Sequence, residues 1–232
     1  MIYVMSDIHG CYEKYKAMLE KIKFSSADTL YILGDVIDRG EDGIEILSDM
    51  INHFNIVPML GNHELMAYSV LTRLNNEITD DSIGSVLNEK VLKSMYSWLE
   101  NGGRVTMDRF SKLNQMKKNR ILNFFEDFSV YEELSVGGRD FVLVHSGLGG
   151  FSPDKAFEDY TVNELVWDRP DYGKRYFEDK YLVTGQTQTF MIDKYYCGRI
   201  YKKNGHIAID CGVVYGYKLG CLCLDTMEEF YV

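Results

Sequence analysis

Four short stretches of this chain put metal-ligating and acid–base side chains beside a glycine. They read SDIHG at 6–10, GDVIDRG at 34–40, GNHE at 61–64 and HSG at 145–147. They supply Asp7 and His9, then Asp35, Asp38 and Arg39, then Asn62, His63 and Glu64, and finally His145. Carboxylate, imidazole and carboxamide in one set suit first-row divalent metals of intermediate hardness. Asp7, His9, Asp35, Asn62 and His145 are more ligands than one ion needs. Two ions roughly 3.5–4 Å apart, bridged by a carboxylate, are a known device for phosphoester hydrolysis. Asp35, central in the set, is the expected bridge. Taken singly, each turn has a plainer explanation, since Asp7 or Asn62 could simply cap the helix that follows. Three of the five histidines fall at these turns, however, and the repetition favours chemistry. His53 and His206 lie elsewhere and read as surface or packing residues.

The elements that must position these groups are legible around them. Ile2–Met5, Asp28–Leu33, Ile56–Leu60 and Phe141–Val144 are apolar runs, each delivering one motif at its carboxyl end. In open α/β sheets that edge is where sites assemble. Tyr12, Tyr15, Leu19 and Ile22 mark one helical face; Ile44, Leu47, Ile51 and Phe54 mark a second. A third helix starts near Glu64 and carries Leu65, Tyr68, Leu71 and Leu74. Strand and helix in alternation predict parallel strands with right-handed crossovers. Residues 75 to about 130 read as a helical insertion over one side of the sheet, broken by NGG at 101–103. VYEELSV and RDFVLVHSG read as a hairpin, and 149–180 as a long excursion. YLVTG, RIYKK, HIAID, KLGCLCLD and EEFYV are expected to close the chain as antiparallel strands, with Asn204-Gly205 as a hairpin turn. The fold class is α/β with parallel and antiparallel strands, in one domain over 1–232.

Composition narrows the function. The 232 residues are 46% hydrophobic with only 3 Pro, as in an ordinary folded globule. A net charge of −10 repels polyanions, so neither nucleic acid nor an anionic membrane is an expected general partner. Five Cys without a CxxC motif suggest reduced thiols, and the first ten residues lack the basic start of a signal peptide. A cytoplasmic location is the expectation.

SDIHG, GDVIDRG, GNHE and HSG, in this order and near these spacings, resemble the phosphoprotein phosphatase branch of the calcineurin-like metallophosphoesterases, in its small bacterial and phage lambda form. WLENGG at 98–103, LVWDRP at 165–170 and IDCGVVYGYKL at 209–219 extend the resemblance over nearly the whole chain. It implies a sandwich of two mixed β-sheets flanked by helices, with two divalent metals at one end. Manganese is the expected ion, with iron, zinc or magnesium as alternatives. By resemblance, Asp7, His9 and Asp35 ligate one metal, and Asp35, Asn62 and His145 the other. His63 is the catalytic histidine with Asp38 as its carboxylate partner. Arg39 and Arg169 grip the phosphate, with Asn62 and His63 beside them. The implied reaction is attack by a dimetal-bound hydroxide on a phosphate monoester, most simply phosphoserine or phosphothreonine of a protein or peptide. Symmetrical hydrolysis of dinucleoside tetraphosphates is the alternative, since that branch shares the metal motifs.

One position departs from the pattern. Relatives usually carry His in a late GHT-type turn, whereas VTGQTQT places Gln186 there. A carboxamide oxygen is a neutral, harder and weaker ligand, favouring manganese or magnesium over zinc. A natural working variant, a non-catalytic phosphate-binding module and an engineered substitution all remain open. The working enzyme with a weaker second metal is the preferred reading.

Overall fold

The apolar runs of the first third become strands separated by helices in the computed structural model, which describes residues 1–75 and 89–232. β1 (Ile2–Met5) pairs parallel with β2 (Thr29–Ile32), and β2 pairs parallel with β3 (Ile56–Pro58). α1 (Tyr12–Lys21) and α2 (Gly43–Met50) make the crossovers, and α3 (Asn62–Leu74) follows β3. The helical faces hold through Tyr15, Leu19, Ile44 and Leu47, all buried. Phe54 departs from the expected stripe. It lies beyond the end of α2, in the turn before β3, and is 87% exposed.

A second sheet has the order β4-β5-β6-β8-β7. It comprises β4 (Tyr131–Val136), β5 (Arg139–Val144), β6 (Lys180–Thr184), β7 (Tyr201–Lys203) and β8 (His206–Ala208). β4 and β5 form the expected antiparallel hairpin. β7 and β8 form another, whose turn residues Asn204 and Gly205 both take positive φ, 53° and 77°. That is the geometry an Asn-Gly hairpin turn requires. The expectation of antiparallel closing strands fails at β6, which is parallel to both β5 and β8. The long excursion after β5, which carries a short helix at Val162–Val166, returns the chain to the same end of the sheet. A connection of that length is what parallel neighbours need. β9 (Gly220–Cys223) and β10 (Glu229–Tyr231) then extend the first sheet on the antiparallel side, giving β10-β9-β1-β2-β3. Both sheets are therefore mixed.

The sheets face each other across a core of Val4, Leu33 and Leu222 from one and Phe141, Leu143, Val183 and Ile207 from the other. On the outer face of the first sheet, Met5, Ile32 and Met18 pack with residues of the insertion, including Trp98, Phe110, Ile121 and Phe125. The insertion is helical as expected where described, with helices at Glu89–Trp98, Arg104–Ser111 and Gln115–Glu126. Its residues 76–88 lie outside the described part. Cys221 and Cys223 are buried packing residues of β9, and all five cysteines are free. His206 is buried, with Nε2 2.7 Å from the Lys174 carbonyl. No helix among the described residues is long and apolar enough to cross a membrane.

Leu143 is fully buried between the sheets. Leu143→Ala should lower the unfolding free energy by about 2–5 kcal/mol, as large-to-small core changes do. Urea denaturation measures this, and a loss below roughly 1 kcal/mol would mean the intersheet core is not packed as described.

Candidate metal and active site

The site begins as backbone. Past the carboxyl ends of β1 and β2, the two chains stay zipped: Asp7 N donates to the Gly34 carbonyl, His9 N to that of Asp35 and Gly10 N to that of Val36. The turn at Gly34 sits so close to the next loop that a Cβ there would lie 2.4 Å from Gly61 N, which explains a glycine at that position. Nine described non-glycine residues have positive φ, and six of them are Asp7, His9, Asp35, Asp38, Arg39 and Gln186. Each such conformation costs roughly 1–3 kcal/mol, and strain of this kind gathers at functional sites. Gln186 shares it with the motif residues.

The buried Glu64 carboxylate fixes these turns. Its Oε2 accepts from Asp35 N (2.8 Å) and Gly61 N (3.1 Å), and its Oε1 from Val36 N (2.8 Å) and Ile37 N (3.3 Å). Asp35 thus emerges from a turn whose amides are already committed, and its Oδ1 accepts from His63 N at 3.2 Å.

Two donor groups result, and Asp35 belongs to both. His9, Asp35 and His63 bring one ligand atom each within 4.8 Å of one another, as do Asp7, Asp35 and His145. The resemblance places Asp7 beside His9; here Asp7 joins His145, and His63 joins His9. The histidine tautomers suit ligation. His9 Nδ1 donates to the Ile37 carbonyl (2.8 Å) and His145 Nδ1 to the Leu33 carbonyl (2.6 Å). In the neutral rings each Nε2 then offers a lone pair to the site, a pattern typical of metal-binding histidine. Burial and the nearby Arg39 guanidinium hold His9 well below the usual imidazole range. His145 Nε2 lies 3.0 Å from Asn62 Oδ1, 3.2 Å from Gln186 Oε1 and 3.4 Å from Asp35 Oδ1. Four electron-pair donors face one another there.

Asp35 Oδ2 is buried and has no hydrogen-bond partner in the structure, 3.5 Å from His9 Nε2 and 3.8 Å from His63 Nε2. Burial raises the carboxyls of Asp35 and Asp7; Glu64 beside Asp35 and Asp210 beside Asp7 push the same way. Acceptors gathered around an orphaned carboxylate oxygen, with Arg39 donating to the His9 and His63 nitrogens, fit divalent cations.

Beside it stands an acid–base pair. His63 Nδ1 meets Asp38 Oδ2 at 2.7 Å, both side chains fully buried. Trp98 Nε1 donates to the same oxygen (2.7 Å), and Thr106 Oγ1 donates to Asp38 Oδ1 (2.6 Å). Burial pushes Asp38 up to about 7, against the pull of these donors and of Arg39. Burial, reinforced by Arg39, brings His63 down to about 2, so its Nε2 accepts from Arg39 at 3.0 Å. Arg39 reaches His9 Nε2 as well, at 2.5 Å, and its backbone N donates to the Gly102 carbonyl. The insertion therefore holds the Asp38–Arg39 turn from outside.

Gln186 N donates to both Asp7 oxygens (3.1 and 3.0 Å), which joins the late turn to the first motif. Arg169 differs from the other expected residues. It is exposed, lining a cavity of about 400 Å³ with Gly149, Phe151, Lys174 and Tyr176. Its loop packs on Gly147, next to the His145 turn, through Asp168 and Pro170. Asp210 was not singled out from sequence, although IDCG contains it. It is buried, its Oδ2 is unpartnered, and burial pushes it up to about 6. Trp98 lay within a matched motif, whereas nothing in the sequence pointed to Thr106.

A model of the calcineurin-like phosphoesterase family matches residues 1–201. Symmetrical bis(5'-nucleosyl)-tetraphosphatases are similar over shorter stretches. The one from Wigglesworthia glossinidia brevipalpis is 34% identical over 113 residues, 48% of this chain and 42% of that protein. The one from Chromobacterium violaceum is 37% identical over 100 residues, 42% of this chain and 36% of that protein. The chain thus spans less than half the length of these relatives in the matched stretch. Among solved structures, a cold-active protein-tyrosine phosphatase of a Shewanella species is similar with a TM-score of 0.56 at 15% identity, covering 99% of this chain and 79% of that one. A Saccharomyces cerevisiae serine/threonine phosphatase gives 0.57 at 15%, covering 95% and 71%. At such identity these likenesses concern the fold alone.

Glu64→Gln would turn an NH₂ toward two of the four amide donors. Stability should fall by about 2–6 kcal/mol, at roughly 1–3 per orphaned donor; thermal or urea unfolding reads it, and an unchanged midpoint would contradict the role given to Glu64. In Asp35→Asn, the rise in Tm caused by manganous ion should vanish. A full shift in that variant would show that Asp35 does not link the two donor groups.

Proposed function

The chain belongs to the calcineurin-like phosphoesterase family, and from that premise we propose that it is a metal-dependent phosphoesterase acting on dinucleoside tetraphosphates. The observation that carries the metal-dependent part is the carboxylate of Asp35, common to both donor groups and left with a bare, buried oxygen. The substrate rests on the tetraphosphatases that resemble the chain at 34% and 37% identity. They favour this reading over the phosphoprotein one, which rests on the motif resemblance and a likeness of fold.

Asp7, His9, Asp35, Asn62, His145 and Gln186 would hold two divalent cations, with His63 at the edge of the first group. Manganese is the proposed ion, since Gln186 adds an oxygen where relatives usually carry imidazole. When bound, such ions activate water and neutralise phosphate charge. The protein's own groups do the rest. Arg39 presents two guanidinium nitrogens to the site and suits phosphoryl oxygens through its planar fork. Asp38 holds His63 by Nδ1, which aims Nε2 inward; Nε2 accepts from Arg39 until that guanidinium turns to a phosphoryl oxygen, and would then take up a proton and pass it to the departing oxygen. Arg169, exposed on the loop that packs on Gly147, would meet the distal part of a long polyphosphate. Gln186 puts its oxygen beside His145 and Asn62, so the donor set survives the change of residue. This favours a working enzyme over a binding module.

Chelator-stripped protein reloaded with manganese should convert a dinucleoside tetraphosphate into two nucleoside diphosphates, faster than it releases phosphate from a phosphopeptide at equal concentration. A preference for the phosphopeptide would overturn the substrate. His63→Asn should lower kcat roughly 10²–10⁴-fold, the usual contribution of a general acid, while metal content by atomic absorption stays the same. Metal lost along with activity would make His63 a ligand instead.

A further inference from the structure

Beside Arg39 stands an aromatic side chain that the chemistry above does not use. Tyr215 is 52% exposed, and its ring centre lies 5.8 Å from the Arg39 guanidinium carbon. It ends a single 3₁₀ turn, Val213–Tyr215, bracketed by Gly212 and Gly216 with φ of 78° and 85°. The turn is tied down rather than loose. Asp210 Oδ1 accepts from Gly212 N at 2.9 Å, and the Asp210 carbonyl accepts from Thr189 N at 2.9 Å. Tyr217, 42% exposed, packs on Phe190 with ring centres 5.2 Å apart, and a Cβ on Gly212 would meet both rings. A fixed turn thus presents a large aromatic face to solvent next to the residue assigned to grip phosphate.

We infer that Tyr215 is the platform on which one nucleobase of the substrate stacks while Arg39 holds the phosphate next to it. This rests on the proposed function, because a substrate without a base has nothing to place there. Three features support it. A base is a neutral π-surface, which suits an exposed ring already flanked by a guanidinium. The chain's net charge of −10 opposes the approach of a polyphosphate, so affinity has to come from local contacts at the site. Finally, the glycine-bracketed turn leaves the ring face open while fixing its position, so little ordering cost remains on binding.

The test compares wild type, Tyr215→Ala and Tyr215→Trp, all loaded with manganese. It measures KM and kcat on diadenosine tetraphosphate and inhibition by adenosine diphosphate and by inorganic pyrophosphate. Tyr215→Ala should raise KM and the adenosine diphosphate inhibition constant roughly 5- to 150-fold, the range that base–aromatic stacking supplies. Pyrophosphate, which has no base, should inhibit as before, and Tyr215→Trp should restore dinucleotide affinity. Equal weakening of pyrophosphate would mean that Tyr215 merely braces Arg39, and an unchanged KM would mean that the base lies elsewhere; either result overturns the inference and leaves the proposed function standing. A wild type that cleaves no dinucleotide overturns both.

Discussion

Five carboxylates are buried together at one end of this protein: Asp7, Asp35, Asp38, Glu64 and Asp210, each at most 2% exposed. Burial raises every one of them above the ordinary carboxylate range. Glu64 is satisfied by four amides and Asp38 by an indole, a hydroxyl and an imidazole. Asp7 takes the Gln186 amide. Asp35 and Asp210 each keep an oxygen with no partner. Arg39 is the guanidinium placed among them, and both nitrogens it directs into the site rest on imidazoles. Negative charge gathered in a low-dielectric place without a matching cation is costly enough to unmake a fold. Divalent cations held by the donor groups sharing Asp35, as proposed, would offset that charge.

The fold is arranged around that need. Two parallel strands end at the same edge and remain zipped beyond it, so that Asp7, His9 and Asp35 turn toward one another in left-handed backbone conformations. Glu64, from the first turn of α3, locks the second of those turns. β5 and β6 of the other sheet deliver His145 and Gln186 across the top of the core. Among its described residues the helical insertion adds no member to the two donor groups, but Trp98, Thr106 and Gly102 secure the turn that carries Asp38 and Arg39. Remote packing and local chemistry are therefore coupled: what holds the insertion on the first sheet also holds the acid–base pair.

Much of this was legible in the sequence because the signals are local. A strand, a glycine and a ligand-type residue within a few positions specify both the turn and the side chain it carries, and the structure brings Asp7, His9, Asp35, Asn62 and His145 to one place. The Asp38–His63 pair required the resemblance, since nothing local tells which carboxylate meets which imidazole. Gln186 showed up as a departure from a pattern, and only the structure brings its oxygen beside His145. Three features escaped because they depend on tertiary contact. Thr106 is an ordinary helix residue until it meets Asp38. The parallel placement of β6 follows from the path of a long excursion, whose own residues do not encode direction. Arg169 is exposed on a neighbouring cavity, where its motif fixes position in the chain but no partner.

The most direct measurement of the central claim is calorimetric titration of manganous ion into the chelator-stripped protein. The proposed function predicts two bound ions per chain, both lost when Asp35 is replaced by Asn. No binding, or two ions still bound by Asp35→Asn, would contradict it.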